Sequence, residues 1–335
     1  WAFYTGLAVG LGLFGPQLAF FWGIFGPAAV ALWLILAFWH GLFLLLLLQV
    51  HRRLGERGLW VWAAVLWLGI EFFRSELYYL RFAWLTVGYA LPLETTHPLL
   101  PVLGVYGWGA LAMALAGWIA GTLESVLAKG KPSRGQSVQL TVAALLVLLL
   151  ILSPWVNGLR GSATEPATKL RVAGVQMEFP GVPEVLENLR RLAAACPDAQ
   201  LVLLSEYTFD GPFPDGIRVW CRRERRWLIA GGKEPLADGR FHNTAYVVDT
   251  NGVVVFQQVK AVPIQFFKDG EPAPKQEVWD SPWGKLGLCV CYDLNYARVA
   301  DRLIRQGARA LIVPTMDVES WGLHEHKLNA RMTLI

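Results

Sequence analysis

The stretch GKLGLCVCYDLNYARVADRLIRQGARALIVPT, residues 284–315, reads as strand, turn, helix and strand in immediate succession. The segment GKLGLCVCYD (284–293) fits a buried strand, ARVADRLIRQGA (297–308) fits a helix ended by Gly307, and RALIVPT (309–315) fits another strand. The same rhythm extends upstream. LRVAGVQMEF (170–179) alternates like a strand, and VPEVLENLRRLAAA (182–195) puts Leu186, Leu189 and Leu192 on one helical face. AQLVLLSEYTF (199–209) reads as a buried strand running into a loop, and RWLIAGG (226–232) as a further strand. HNTAYVVDTNGVVVFQQVK (242–260) reads as a hairpin turned at Asn251-Gly252. Strands alternating with helices predict a layered α/β domain.

Three polar residues stand where strands run out: Glu206, Lys260 and Cys291. A thiol at a helix N-terminus has its thiolate stabilised by the dipole and the free amides. A nearby carboxylate can take its proton, and a fixed ammonium can hold an oxyanion. Together these are the parts of acyl transfer through a thioester. Taken singly, Cys291 reads equally as a small buried hydrophobe, and Glu206 and Lys260 as surface charges at strand ends. Cys289 is expected in the sheet core. Two cysteines at i and i+2 of a strand lie ~6.5–7 Å apart, too far for a disulfide. Four cysteines in 335 residues make no disulfide framework, and a CxC pair without a second pair at matching spacing makes no metal cage. His324 and His326 lack a third ligand, so no metal and no other cofactor is expected.

The other half of the chain is written for a different solvent. Residues 1–157 hold 13 of the 56 charged side chains, and residues 1–50 contain no Asp, Glu, Lys or Arg. A bilayer span needs ~20 apolar residues. Spans are expected at about 2–24, 28–50, 58–73, 99–122 and 138–156, with the first break at Pro27. Arg52, Arg53 and Arg57, and Lys129, Lys131 and Arg134, mark two loops as cytoplasmic, which puts everything after 157 on the periplasmic side. Near the outer end of the third span, Glu71 and Arg74 read either as a snorkelling ion pair or as a polar edge turned toward an external active site. A transporter would place ionisable groups at mid-bilayer, and four of the five spans have none. The net charge of +4 and the lack of a basic run exclude nucleic acid as a partner.

LVLLSEYTF, HNTAYVVDTNGVVVFQQVK and the 284–315 stretch resemble the three blocks of the carbon–nitrogen hydrolase (nitrilase) superfamily, whose Glu–Lys–Cys triad falls on Glu206, Lys260 and Cys291. Joined to a multi-span N-terminal bundle, the pattern resembles the apolipoprotein N-acyltransferase family. GIEFFRS, FAWLTVGYAL and GVYGWGALAMALAGWIAGTL are similar to that family's membrane region, and WGLHEHKLNARM to its segment after the cysteine block. The resemblance implies a transmembrane helical domain over 1–157, its first span or spans missing, and an α-β-β-α sandwich over 158–335. The second domain would be cut short before its remaining strands and a final span.

It also implies a bacterial inner-membrane acyltransferase of lipoprotein biosynthesis. The acyl donor would be a phospholipid and the acceptor a diacylated apolipoprotein, with a thioester on Cys291 between them. Glu206 would be the base. Lys260 and the backbone amide near Tyr292 would stabilise the oxyanion, and Asp293 would stand where the family often has Glu. The family's second Glu, in a Pro-Phe-Gly-Glu loop, falls here on Lys268, and Glu271 is the candidate to replace it. Ser205 replaces the proline usual before the base. Two other readings stand: a membrane-anchored amidase or nitrilase that lets water resolve the thioester, and a transporter or scaffold with an inactive domain.

Overall fold

The computed structural model describes residues 1–55, 58–90, 100–129, 138, 141, 170–264, 267–273 and 275–318. Most of the fifth expected span, and the segment holding His324 and His326, lie outside the described residues. The chain divides into two compact units, Trp1–Ala163 with Glu319–Ile335, and Thr164–Val318.

The first unit is helical. The expected span 2–24 is two helices, α1 (Ala2–Gln17) and α2 (Phe21–Phe25). Pro16 lies in the last turn of α1, and the ladder closes with the Leu18 amide on the Phe14 carbonyl at 2.9 Å. Pro27 caps α3 (Ala28–Leu54), which ends with His51, Arg52 and Arg53 in its last turn, where cations suit the helix dipole. α4 (Leu59–Phe72) runs into a π-helical turn at Phe73–Leu77, followed by α5 (Val87–Ala90) and α6 (Leu100–Lys129). Among the described residues, Ala28–Leu54 and Val102–Glu124 are long and apolar enough to cross a membrane.

Glu71 and Arg74 do not snorkel. Both are buried: Glu71 reaches the start of α5, and Arg74 the irregular strap before it. Glu71 Oε1 accepts from the Val87 amide at 2.7 Å, and Arg74 Nη1 donates to the Trp84 carbonyl at 3.5 Å. The strap has no helical ladder of its own at Phe82–Leu85, so a side chain from the π turn satisfies part of its backbone.

The second unit is a four-layer sandwich. Sheet A has the order β1 (Val172–Val175), β2 (Leu201–Leu204), β4 (Trp227–Pro235), β5 (Phe241–Val248), β6 (Val254–Val259), with β3 (Phe209–Asp210) also paired to β4. Sheet B runs β7 (Val278–Ser281), β8 (Gly284–Leu288), β9 (Ala310–Ile312). The two-residue period of each strand decides the layers. Val202, Leu204, Leu228, Ala230 and Val248 face α7 (Val182–Ala195) and α8 (Asp215–Glu224), meeting Val185, Leu189, Ile217 and Trp220. The alternate residues Leu201, Ile229, Ala245 and Val247 pack on Trp279, Leu286 and Leu288 of sheet B. The far face of sheet B carries Cys289 against Val299 and Leu303 of α9 (Ala297–Arg305). Each sheet buries both faces, which is the αββα order expected.

The hairpin turns as expected. The Gly252 amide donates to the Asp249 carbonyl at 3.0 Å, and Asp249 Oδ1 accepts from the Asn251 and Val253 amides. The strand expected over 284–293 stops at Leu288. α8, β3 and β7 were not foreseen. α8 sits in the polar stretch DGIRVWCRRE, whose apolar positions Ile217, Trp220 and Cys221 are too few to stand out from the charges around them.

Candidate active site

Glu206 lies in the gap between β2 and β3, two short strands that pair in succession with the same edge of β4. The break leaves Glu206 buried, between the end of one strand and the start of the next. Its backbone is pinned from both sides: the Gly231 amide donates to the Ser205 carbonyl at 3.1 Å, and the Glu206 amide to the Thr315 carbonyl at 3.4 Å. A Cβ on Gly231 would lie 2.5 Å from Glu206 Cα, so only glycine lets β4 come this close. Ser205, in the place of the family's proline, uses its hydroxyl as a clamp. Its Oγ donates to the Met177 carbonyl at 2.8 Å and accepts from the Met177 amide, tying the end of β1 to the base.

Lys260 follows β6 and has no exposed surface. Its Nζ is 2.9 Å from Glu206 Oε1 and 2.8 Å from Asp269 Oδ2. Burying an ammonium is costly unless it is paired, and here two carboxylates pair it. Burial works against its charge; the Glu206 and Asp269 carboxylates outweigh this and hold its pKa well above the ordinary value. Lys260 is therefore held in its charged form by its partners.

Glu206 carries three further contacts. Oε1 accepts from Asn243 Nδ2 at 2.7 Å, Oε2 accepts from the Met316 amide at 3.2 Å, and the carboxylate faces the Cys291 thiol. Burial, then Glu206, push that thiol well above its ordinary pKa, with Lys260 opposing. The expected dipole-stabilised thiolate does not form. Cys291 opens only a five-residue 3-10 turn, Cys291–Asn295, and its own amide is spent on the Pro314 carbonyl at 3.0 Å. The Cys291 thiol rests neutral beside a carboxylate that can take its proton. The backbone of Cys291 has φ +47°, and that of Tyr207, directly after the base, +54°. Non-glycine residues in this region cost about 1–3 kcal/mol each and cluster at functional sites.

Asp293 is fully buried. Its carboxylate accepts from the amides of Ala261, Val262 and Val290 at 2.8–3.1 Å, so it ties the loop after Lys260 to the turn carrying Cys291. Burial raises its pKa to about 6 against those bonds. Tyr292 packs edge-on against Tyr296, and its amide sits in the first turn of the 3-10 segment. Cys289, two residues before the thiol, is sealed under α9.

Glu271 is not brought to the site. Its carboxylate pairs with Arg240 at 3.1 Å and is 39% exposed. Asp269 is the second carboxylate on Lys260: buried, it accepts from the Ile264 amide at 2.6 Å, Asn243 Nδ2 at 3.0 Å and the Tyr207 hydroxyl at 2.5 Å. Gly270, at φ +86°, brings the loop against β5, where a Cβ would meet the Asn243 amide at 2.8 Å. Asn243 and Asp269 are the two residues that sequence reasoning missed. Asn243 was legible as a polar residue on the same strand face as the buried Ala245 and Val247. Asp269 carried no such signal, because Lys268, Asp269 and Glu271 crowd one irregular loop. Among the described residues, no group of three or more His, Cys, Asp or Glu side chains is arranged to hold a metal ion.

Comparison with known proteins assigns both parts of the chain. Residues 1–118 match the family model for the apolipoprotein N-acyltransferase N-terminal domain, and residues 172–333 match that for carbon–nitrogen hydrolase. An apolipoprotein N-acyltransferase from Nitrosomonas europaea is 36% identical over 132 residues, which is 36% of this chain and 26% of that protein. A deaminated glutathione amidase from Dictyostelium discoideum is 34% identical over 117 residues, 30% of this chain and 40% of that protein. A solved carbon–nitrogen hydrolase from Helicobacter pylori is 22% identical, with a TM-score of 0.43 over 49% of this chain and 67% of that one. The chain thus spans well under two thirds of the length of these two curated relatives. With one segment matching the apolipoprotein N-acyltransferase N-terminal domain and the next matching carbon–nitrogen hydrolase, the chain belongs to the apolipoprotein N-acyltransferase family of the carbon–nitrogen hydrolase superfamily.

Proposed function

We propose that the protein transfers an acyl chain from a phospholipid, through a thioester on Cys291, to the N-terminal amine of a diacylglyceryl-cysteine lipoprotein. The observation that carries the chemistry is Lys260, wholly buried between Glu206 and Asp269 and facing the same thiol as Glu206. The choice of substrates follows the N-terminal domain, which matches the acyltransferase branch.

In the first half-reaction Glu206 takes the thiol proton as Sγ attacks the ester carbonyl. The tetrahedral oxyanion is held by Lys260 Nζ and the Tyr292 amide. Collapse breaks the carbonyl carbon–oxygen bond, and the leaving lysophospholipid alkoxide takes the proton from Glu206. In the second half the neutral amine of the acceptor attacks the thioester and gives a proton to Glu206. The carbon–sulfur bond breaks, the sulfur recovers that proton, and an amide is released. Lys260 stays charged throughout. Asp269 and Asn243 position the ammonium and the base, and Asp293 sets the distance between them and the thiol. The setting we assign is the bacterial inner membrane, with the catalytic unit on the periplasmic side. Helices long enough to span and the arginines ending α3 support this.

The amidase-type relatives favour a second reading, in which water resolves the thioester. One experiment separates the two. The protein in detergent is given acyl-labelled phosphatidylethanolamine and a diacylated lipopeptide. A hydroxylamine-sensitive adduct that is lost in Cys291→Ala and kept in Cys289→Ala is expected, followed by label in an amide on the lipopeptide. Label released only as free fatty acid would overturn acyl transfer in favour of hydrolysis.

A further inference from the structure

Beside the catalytic network stands an aromatic wall with one ammonium laid across it. Tyr207 follows the base directly, and its hydroxyl is fixed on Asp269. Phe179 stacks on the Tyr207 ring with centroids 6.3 Å apart, and Phe241 meets that ring edge-on at 6.5 Å. Lys233 Nζ lies 5.6 Å from the centroid of Tyr207 and 5.4 Å from that of Phe241.

Strand register places Lys233 toward the reaction. It is two residues beyond Gly231 on β4, hence on the same strand face, and Gly231 lies against Glu206 Cα. It is also the direct cross-strand partner of Asn243, whose amide nitrogen touches both Glu206 and Asp269. Directly opposed residues put their Cβ atoms about 5 Å apart on one face. Lys233 therefore stands one strand repeat, roughly 7 Å, along the sheet from the base. Its ion pair is with Asp210 at 2.9 Å, a side chain 83% exposed, while Lys233 itself keeps 32% of its surface. Such an exposed pair is weak and exchangeable.

We propose that Lys233, backed by Tyr207 and Phe241, binds the phosphate of the acyl donor; this rests on the acyl-transfer reading above. The dimensions fit. In a glycerophospholipid six bonds separate the sn-1 ester carbonyl from phosphorus, about 7 Å when extended at ordinary bond lengths. An ester at Cys291 thus leaves its phosphate within reach of an ammonium one strand repeat from the base. The charge discriminates between the two substrates. A cation here attracts the anionic donor and repels the ammonium form of the acceptor amine, so the site serves the first half-reaction. The rings exclude water from one side of the ammonium, which strengthens its hold on an anion. The exposed ring of Phe179 extends the wall outward. Asp210 is the competitor that the phosphate displaces.

The test compares two donors carrying the same acyl chain: a phospholipid, and a neutral p-nitrophenyl ester that lacks phosphate. Adduct formation on Cys291 is followed in the wild type, Lys233→Met, Lys233→Arg and Asp210→Asn. Lys233→Met is expected to raise KM for the phospholipid about tenfold relative to the neutral ester, the loss of one charge-assisted contact. Lys233→Arg should keep the wild-type ratio, and Asp210→Asn should lower KM for the phospholipid alone. An equal change for both donors, or none for either, overturns the assignment while leaving acyl transfer standing. No adduct from phospholipid in the wild type would instead overturn the parent reading. Inorganic phosphate that blocks the neutral ester in the wild type, and not in Lys233→Met, would mark a free-phosphate site and overturn the lipid source.

Discussion

Lys260 Nζ lies 2.8 Å from Asp269 Oδ2 and 2.9 Å from Glu206 Oε1, so two carboxylates share one buried ammonium. Asp269 is the far partner, and its own orientation is fixed by the Ile264 amide, Asn243 and Tyr207. Neutralising it leaves Lys260 drawn to Glu206 alone and shifts the ammonium away from the oxyanion. Asp269→Asn is expected to lower kcat about 10²–10³-fold, in the range for losing a preorganised oxyanion contact, with little change in KM. Asp269→Glu should recover part of the loss. Glu271→Gln, which breaks only an exposed pair with Arg240, should stay within threefold of wild type. Equal losses in Asp269→Asn and Glu271→Gln would sink the assignment of the second carboxylate.

The sandwich was legible because its strands and helices keep their periods. Helix 182–195 and the Asn251-Gly252 hairpin stand where the pattern puts them, and Cys289 alternates into the core as its parity requires. What failed to show was irregular. Asp269 sits on a loop with no period, and its identity depends on Gly270 bringing that loop against β5. The break between α1 and α2 falls inside a continuous apolar run, where an apolar count has nothing to register. The electrical state of Cys291 was misread for a related reason. A strand followed by a helix suggests a dipole, but the intervening 3-10 turn and the neighbouring carboxylate are tertiary facts.

Gly231 faces the Glu206 backbone so closely that its substitution separates activity from global stability. Gly231→Ala puts a methyl 2.5 Å from Glu206 Cα, and the atoms it meets are main chain, which cannot swing aside. The base loop must move by about an ångström, and misplacement on that scale costs about 10²-fold in rate. Rapid loss of acyl transfer is expected, with at most a few degrees lost from the thermal midpoint in detergent. A variant with wild-type turnover would show that β4 does not position the base.

Asp293 gives the site a pH signature in stability. Its folded pKa is raised from an ordinary 3.8 to about 6 by burial. The folded chain therefore binds a proton more tightly than the unfolded one, and stability from this group falls as pH rises from about 4 to about 6, then levels off. Asp293→Asn removes the titration and turns an amide N–H₂ toward backbone donors, at a cost of about 1–3 kcal/mol. The thermal midpoint of the wild type minus that of the variant should shrink between pH 4 and 6 and stay constant above. A difference independent of pH would mean that Asp293 holds its charge down to pH 4.

Glu206 and Lys260 pull the Cys291 thiol in opposite directions, and this makes their roles separable without turnover. A thiolate is what iodoacetamide alkylates. In the wild type the thiol lies well above its ordinary pKa, so alkylation at neutral pH should be slow and rise only in alkali. Glu206→Gln removes the anion facing the sulfur and leaves the Lys260 cation, so the thiol pKa falls. Alkylation at pH 8 should become faster while acyl transfer is lost, because the base is gone. Lys260→Met removes the opposing cation and should move alkylation further into alkali. Deleting one member of a buried pair destabilises by about 3–5 kcal/mol, so each variant is compared at a temperature below its own melting transition. Slower alkylation in Glu206→Gln would mean that the carboxylate holds the thiol deprotonated at rest, and the neutral-thiol mechanism would fall.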